Sequence, residues 1–300
     1  MEGKLSEDWR KANSDVEPAD KLLERILTER RKKWEEAELA KMKAKGKLPK
    51  DDKWKRKYNG PSKDSQIDMD LPNGWRSATI GQLAQRVQYG TSSKTSEDPV
   101  GIPVLRMGNI LEGDLLLDKL KSLPKSHSEF PELFLKPEDL LFNRTNSPEL
   151  VGKTAVYHGN PSPCSFASYL IRVRFFDGIN PNFINYFINS TYGRKWIKSV
   201  VSQQVGQANV NGTKLQALSV PLPPSNEQNK IVTEVENKFS IIIGIEKEVD
   251  LNLKRADRLR QSILAKAFSG RLVGERDEEP QACPQLPMAA EPEPPYGAAR

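Results

Sequence analysis

The chain has 300 residues, of which 37% are hydrophobic and 29% are charged, and its net charge is +6 at pH 7. Its longest apolar runs are far shorter than a membrane span, its N-terminus has no signal-like apolar stretch, and its two cysteines cannot form a disulfide scaffold. These features exclude the membrane and secreted classes and predict a cytoplasmic protein with free thiols. The two histidines, His127 and His158, leave little for a zinc site. The small excess of positive charge permits binding to a polyanion without requiring it.

Residues 1–66 form a charged N-terminal segment that we interpret as a helical connector followed by a basic linker. Residues 20–45 have high helix propensity, and Gly46 is a plausible end for the helix. An extended linker is predicted next, with a basic-aromatic stretch at residues 54–58. This stretch fits either a solvated linker, which is the simpler interpretation, or an arm that touches a phosphate backbone.

Residues 67–226 contain most of the aromatic and β-branched residues and are predicted to form a mixed α+β domain. Short apolar runs such as GIPVLRMGNI, DLLFNRT, GKTAVYHG and SYLIRVRFF are separated by turn residues, which is typical of strands. The segment PNFINYFINSTYGRKWIKSVV has helical spacing instead. The fold class predicted for the chain is therefore α+β, with a β-rich domain followed by a long helix.

A long helix is predicted from Glu227 to about Phe268, directly after the proline-rich punctuation PLPPSN. Its apolar residues repeat at alternating spacings of three and four, which is the pattern of a coiled-coil seam. The seam comprises Ile242, Ile245, Val249, Asn252, Ala256, Leu259 and Ile263. At ~1.5 Å per residue the helix would reach about 63 Å, which favours pairing with another helix over packing on its own domain. We assign residues 227–272 to this dimerisation and spacer helix, and residues 273–300 to a disordered tail.

No motif for catalysis is found. The sequence contains no nucleophile elbow, phosphate-binding loop, HExxH or dinucleotide-binding glycine pattern. Asn180-Pro181-Asn182-Phe183 resembles the Asn-Pro-Pro-Tyr loop of amino-methyltransferases, but it lacks the second proline. A helix-starting turn capped by an asparagine explains it more simply.

A set of polar residues in the predicted loops suits DNA instead. Arginine, asparagine and glutamine make paired hydrogen bonds to base edges in the major groove, while lysine, serine and threonine suit phosphates. Each residue taken alone is explained more simply as a turn former, and only the set as a whole favours DNA binding. The candidate DNA-binding residues are Lys94, Arg106, Asn109, Asn143, Arg144, Thr145, Asn146, Lys153, Gln203, Gln204, Gln207, Asn209, Asn211 and Lys214.

An ordered series of motifs carries a family resemblance over about residues 3–275. The strings LPNGWRSATIGQL, QYGT, IPVLRMGNI, DLLFNRTNSPELVGK, SYLIRVR, PLPPSNEQNKIV and QSILAKAFSGRLV occur in that order. The whole resembles the specificity subunits of type I restriction–modification systems, and the opening GKLSEDWRKANSDVEPADKLLERI resembles their central connector.

The resemblance implies a target recognition domain at residues 67–226 that reads one half of a split DNA site. A typical member has two such domains and two long helices, whereas this chain has one of each and resembles a half-subunit. The expected partners are double-stranded DNA, modification subunits that bind S-adenosylmethionine, a restriction subunit, and a second copy or another half-subunit. The chain itself is expected to be non-catalytic and to hold no cofactor. Two alternatives stay open, namely a degenerate methyltransferase or endonuclease fragment and a coiled-coil assembly protein that does not bind DNA.

Overall fold

The computed structural model describes residues 3–46, 49, 51–62, 66–204 and 207–272, without the side chains of Gln203 and Gln204. The helices are α1 Glu7–Ala12, α2 Ala19–Ala44, α3 Ile80–Leu83, α4 Pro181–Asn189, α5 Thr191–Val200, α6 Gly212–Ala217 and α7 Ser225–Phe268. Short 3-10 turns occur at Lys4–Ser6, Asp52–Lys57 and Met107–Asn109. Within the described ranges, none of the helices combines the length and the apolar character that a membrane crossing requires.

Fourteen strands are found in the described residues, and they confirm the predicted mixture of strand and helix. They are β1 Arg76–Thr79, β2 Ala84–Tyr89, β3 Ile102–Leu105, β4 Ile110–Leu111, β5 Asp114–Leu115, β6 Lys121–Leu123, β7 Asp139–Asn143, β8 Thr145–Asn146, β9 Thr154–Tyr157, β10 Ser165–Phe166, β11 Leu170–Phe175, β12 Ser202–Gln204, β13 Gln207–Asn209 and β14 Ser219–Leu222.

The largest sheet is antiparallel, with the strand order β2-β11-β7-β9, and it separates two apolar clusters. Alternation along β7 explains this arrangement, because Leu140 and Phe142 point into one cluster and Leu141 points into the other. The first cluster includes the apolar face of α4, and the second includes Leu105 of β3 and Phe166 of β10. The central strands are therefore buried on both faces, which agrees with their near-continuous apolar sequence.

Smaller sheets surround this core. Strands β10, β3 and β6 form one sheet, β12, β13 and β8 form another, and β1 pairs with β14. The pairing of β1 with β14 joins residues 76–79 to residues 219–222, so it closes the domain at its two ends in sequence.

Helix α4 begins as the sequence predicts. The side-chain oxygen of Asn180 accepts hydrogen bonds from the backbone N–H groups of Asn182 and Phe183, at 2.9 and 3.3 Å. Pro181 occupies the first turn, where its missing N–H costs nothing. The segment that resembles a methyltransferase loop is thus the cap of a helix.

The N-terminal segment is not a separate domain. Ala19, Leu22 and Ile26 of α2 are fully buried in the same cluster as the central sheet. Chain contacts divide the protein into a unit of residues 1–238 and a unit of residues 239–300. The predicted boundaries at 66 and 226 thus fall inside one unit, because helix packing and the first turns of α7 join these segments to the domain.

Part of the predicted extended linker is a packed turn in the structure. The stretch Asp52–Lys57 forms a 3-10 turn in which Trp54 is buried, and its ring lies 5.9 Å from the ring of Trp34 on α2. The centre of the Tyr58 ring lies 5.3 Å from that of the Trp34 ring. Aromatic packing against α2 therefore orders a segment whose composition indicated a solvated arm. The predicted tail, residues 273–300, lies outside the described residues.

The long helix forms with the bounds that the sequence predicts to within a few residues. Within the second unit, the apolar side chains of the seam are exposed, including Ile245 at 57% and Leu259 at 63%. Asn252 accepts a 3.3 Å hydrogen bond from Arg255 of the next turn. An exposed row of this kind offers a surface for another helix.

Candidate nucleic-acid interface

Four chain segments meet at one edge of the domain. The backbone of Thr91 bonds to Phe166 at 2.9 Å, and that of Ala167 bonds to Leu105 at 2.8 Å. These bonds connect the segment after β2, the end of β3 and the segment between β10 and β11. The N–H of Arg144 donates to the carbonyl of Tyr169 at 2.9 Å and brings in the segment after β7. We call this surface the convergent face, and its side chains are Tyr89, Lys94, Arg106, Arg144, Asn146, Tyr169 and Gln207.

A groove of about 760 Å³ occupies one half of the convergent face. Lys94, Arg106, Lys119 and Lys121 line it, opposed by the single carboxylate of Asp118 in the lining. The exposed ring of Tyr169 stands at its margin. The cationic side chains of this groove suit the phosphate backbone of a nucleic acid.

The other half is the small sheet of β12, β13 and β8. Strand β13 pairs with β8 through Ala208 and Asn146, and with β12 through Gln203 and Ala208. The glutamine-rich segment predicted as a loop is thus an antiparallel hairpin. It forms because the polar segment after β7 supplies a third strand from more than sixty residues earlier in the chain.

An arginine and a tyrosine join the two halves. The guanidinium carbon of Arg144 lies 4.9 Å from the centre of the Tyr89 ring, and the Tyr89 hydroxyl accepts a 2.7 Å hydrogen bond from the N–H of Gly212. The start of α6 therefore fixes the ring on which the arginine rests.

Beneath the face, a buried arginine holds the central sheet together. Arg172 of β11 donates to the carbonyl of Phe134 at 2.7 Å and to the side chain of Gln88 on β2. Burial lowers the pKa of Arg172 to about 10, while the nearby carboxylate of Asp139 opposes that shift. This arrangement keeps the end of β2, and with it Tyr89, in place.

A family model described as the type I restriction modification DNA specificity domain matches residues 72–255. The match spans more than half of the chain and includes the whole convergent face. The chain belongs to this family.

Relatives agree with the assignment. The chain is 36% identical to the EcoKI specificity subunit of Escherichia coli K12 over 204 residues, which cover 66% of this chain and 43% of that protein. It is 32% identical to the StySPI specificity subunit of Salmonella potsdam over 210 residues, which cover 69% and 45%. The chain thus spans less than half the length of these curated relatives.

The fold is also similar to that of a solved structure. The crystal structure of an HsdS subunit from Thermoanaerobacter tengcongensis superposes with a TM-score of 0.50, at 21% identity, over 69% of this chain and 48% of that one. This likeness concerns the fold alone.

Within this specificity domain, some of the predicted residues hold the structure together. Asn109 is buried, and its side chain bonds to the N–H of Arg106 and the carbonyl of Leu116 at 2.9 and 2.8 Å. Asn143 is buried at the end of β7 and donates to the carbonyl of Leu150. The side chains of both residues are thus engaged in local hydrogen bonds, although Asn109 also lies in the lining of the groove, and contact of either residue with DNA stays a prediction.

Four more predicted residues, Thr145, Asn209, Asn211 and Lys214, have structural partners. Thr145 is buried and accepts a 2.6 Å hydrogen bond from Asn209 across the β8–β13 pair. Asn211 caps α6, accepting from the N–H of Lys214 at 2.9 Å. The Lys214 ammonium donates to the carbonyl of Val200 and the hydroxyl of Ser202, both at 2.6 Å. Local hydrogen bonding is enough to explain the polar character of these residues, and their contact with DNA stays a prediction.

The remaining predicted residues lie at or beside the surface. Lys94 and Gln207 are exposed, while Arg106, Arg144, Asn146 and Lys153 are half-buried. The backbones of Gln203 and Gln204 lie in the small sheet. The sequence interpretation missed Tyr89 and Tyr169, which are 41% and 46% exposed. The sequence offered one signal for both, namely a tyrosine at or next to the terminus of a strand with a small residue beside it, Gly90 or Ser168.

Proposed function

We propose that this chain is a DNA-reading specificity subunit of a type I restriction–modification complex. The family match across the whole convergent face is the observation that carries the proposal. In this role the recognition domain binds one half of a split duplex site and positions modification subunits, which perform the methylation. A restriction subunit joins the same complex to cut unmodified DNA.

The chemistry of the convergent face supports duplex DNA as the ligand. Its groove brings together four cationic side chains, which can neutralise phosphates and release their counterions. In the small sheet beside it Gln207 is exposed and Asn146 is half-buried, and amide side chains of this kind pair with base edges. Backbone contacts and base contacts are thus available on neighbouring parts of one surface.

The exposed seam of α7 supports association with another helix. We propose that Ile242, Ile245, Val249, Asn252, Ala256, Leu259 and Ile263 pair with the same seam of a second copy, or with another half-subunit. Two recognition domains would then read two half-sites, and the paired helices would set the spacing between them. With two identical copies related by a twofold axis, the target would be an inverted repeat.

We propose that the chain contributes no catalytic group and holds no cofactor, with S-adenosylmethionine bound by the modification subunits. We also propose a cytoplasmic location, because the partners and the DNA substrate are found there.

Co-expression with the modification subunits of a type I system would test the proposal. Methylome sequencing should reveal a bipartite adenine-methylation motif that is present only when this chain is present. The matched control is the same strain with the modification subunits alone. A motif that persists in the control, or methyl transfer by the purified chain alone, would contradict the assignment.

A further inference from the structure

We infer that Arg144 is a specificity-determining residue that reads a guanine in the major groove. The inference rests on the proposed function, because it names one base of the sequence that the recognition domain reads. Its basis is the way that the structure holds this side chain.

The backbone of Arg144 is fixed on both sides. Its N–H donates to the carbonyl of Tyr169, and its own carbonyl accepts from the N–H of Val210, both at 2.9 Å. These bonds tie the residue to the segment before β11 and to the end of β13. The side chain therefore starts from a rigid point, which is what accurate reading of a base requires.

The plane of the guanidinium is held while its hydrogen-bonding capacity stays available. The Tyr89 ring lies 4.9 Å below the guanidinium carbon and is itself anchored through Gly212. The Nε atom of Arg144 is buried and has no acceptor among the described residues, so the two terminal amino groups of this half-buried side chain are the donors that can reach a ligand. Stacking of this kind orients an arginine without using its donors.

Two other arginines of the domain differ in this respect, whereas Arg106 shares the buried Nε without an acceptor. Arg174 donates to both oxygens of Asp139 at 2.7 Å, and Arg194 donates to the carbonyls of Val151 and Glu149 at 2.8 Å. Their donors are committed to protein acceptors, whereas no such side-chain bond is found for Arg144 among the described residues. Arg144 also lies on the convergent face, between the groove and the small sheet.

Guanine is the base that fits this donor arrangement. Its major-groove edge offers two acceptors, O6 and N7, which match the two parallel donors of a guanidinium. Adenine places a donor beside its N7 acceptor, so it cannot satisfy both donors of the arginine. A phosphate could also accept from Arg144, and the experiment must separate these two ligands.

The test uses the methyltransferase assembled from the full chain and its modification subunits, on duplexes that carry the motif found by methylome sequencing. Each guanine of the half-site is replaced in turn by 7-deazaguanine, which lacks the N7 acceptor. At one position this change should weaken binding by the wild-type complex about 5- to 150-fold and leave the Arg144→Ala complex unaffected. Inosine at the same position keeps both acceptors and should bind as guanine does.

Two further variants identify the ligand and the role of the tyrosine. Arg144→Lys keeps the charge but loses the planar fork that stacks on Tyr89, so it should reduce discrimination against 7-deazaguanine while retaining its salt dependence. Tyr89→Leu should reduce the same discrimination, and Tyr89→Phe should restore most of it, because the ring is what positions the arginine. Arg76→Lys, on β1 beside Asp20, is the control for a remote arginine.

The outcomes separate the inference from the proposed function. If Arg144→Ala weakens all sequences equally and lowers the salt slope by about one unit, Arg144 contacts a phosphate and the inference is wrong. The inference also fails if Arg144→Ala keeps the wild-type discrimination at every guanine. If the wild-type complex itself shows no sequence preference, the proposed function fails instead.

Discussion

The indole N–H of Trp75 donates a 2.9 Å hydrogen bond to Oε2 of Glu227, a carboxylate with no exposed surface. The other oxygen of Glu227 accepts from the hydroxyl of Ser6 at 2.7 Å and from Nε of Arg10 at 2.9 Å. Three segments that are far apart in sequence are thus joined at the first turn of α7. The carboxylate also lies where the positive end of that helix favours a negative charge.

This network predicts a large loss of stability when its centre is removed. Glu227→Ala should lower the free energy of unfolding by about 3 kcal/mol, because it leaves the buried indole N–H without its acceptor and Arg10 without its counter-ion. Urea denaturation followed by tryptophan fluorescence would measure the change. Lys11→Ala removes an exposed pair with Glu7 on α1 and should leave the midpoint unchanged. Equal midpoints for wild type and Glu227→Ala would show that the network contributes nothing.

Two lysines that the sequence could not tell apart should behave differently. Lys94→Ala should weaken binding of the assembled complex to all DNA sequences and reduce the slope of log K against log salt by about one unit, because an exposed phosphate contact is lost. Lys214→Ala should leave that slope unchanged and lower thermal stability instead, because its ammonium bonds to Val200 and Ser202. Binding titrations at several salt concentrations, together with thermal unfolding, would compare them. If only Lys214→Ala changed the salt slope, Lys214 and not Lys94 would be the lysine that contacts a phosphate.

The seam of α7 should control the association state. Replacing Ile245 and Leu259 together by aspartate places charges in the proposed helix pair and should convert dimers to monomers at micromolar concentration. Sedimentation would detect the change, and the separate replacement of exposed Lys247 and Arg258 by alanine is the control. A wild-type protein that stays monomeric, with a non-palindromic methylation motif in cells that carry no other specificity gene, would favour pairing with a different half-subunit.

Asn252 lies at the midpoint of the seam and should set its register. In an antiparallel pair of identical helices, the two copies of this residue come close to each other, and a polar contact between them would favour one alignment. Asn252→Ile should keep or raise helix stability and allow the complex to methylate sites with altered spacer lengths. Methylome motifs from cells that carry either version would show this. An unchanged single spacer would indicate that another contact sets the register.

Cys164 should be inert in the folded protein. The thiol has no exposed surface, and burial raises its pKa to about 12, so almost none of the reactive thiolate is present at pH 8. In a Cys283→Ser variant, a thiol reagent should react with no cysteine until the protein is unfolded, and then with one. Rapid labelling of the native variant would show that the second apolar cluster opens readily.

Several elements follow from the sequence by itself. The buried strands β7 and β11, the cap of α4 at Asn180 and the long helix α7 depend on local signals, namely apolar runs, a capping asparagine before proline, and a sustained heptad pattern. The ordered motifs also identified the family. Each of these signals lies within a short stretch of chain, so the sequence specifies the element wherever the rest of the protein packs.

The tertiary structure alone decided which polar residues are available to bind DNA. Arg144 and Asn143 are neighbours in sequence, yet one rests on Tyr89 at the surface and the other is buried behind a turn. The pair of β12 and β13 appeared as a loop because its sequence is almost wholly polar and has no apolar alternation to reveal a strand. Its partner β8 comes from a distant segment, and Tyr89 gains its role only when Arg144 is brought above it. Such long-range pairings depend on how the elements pack around the core. Local periodicity specifies single elements, but it does not specify which distant segments pack beside them.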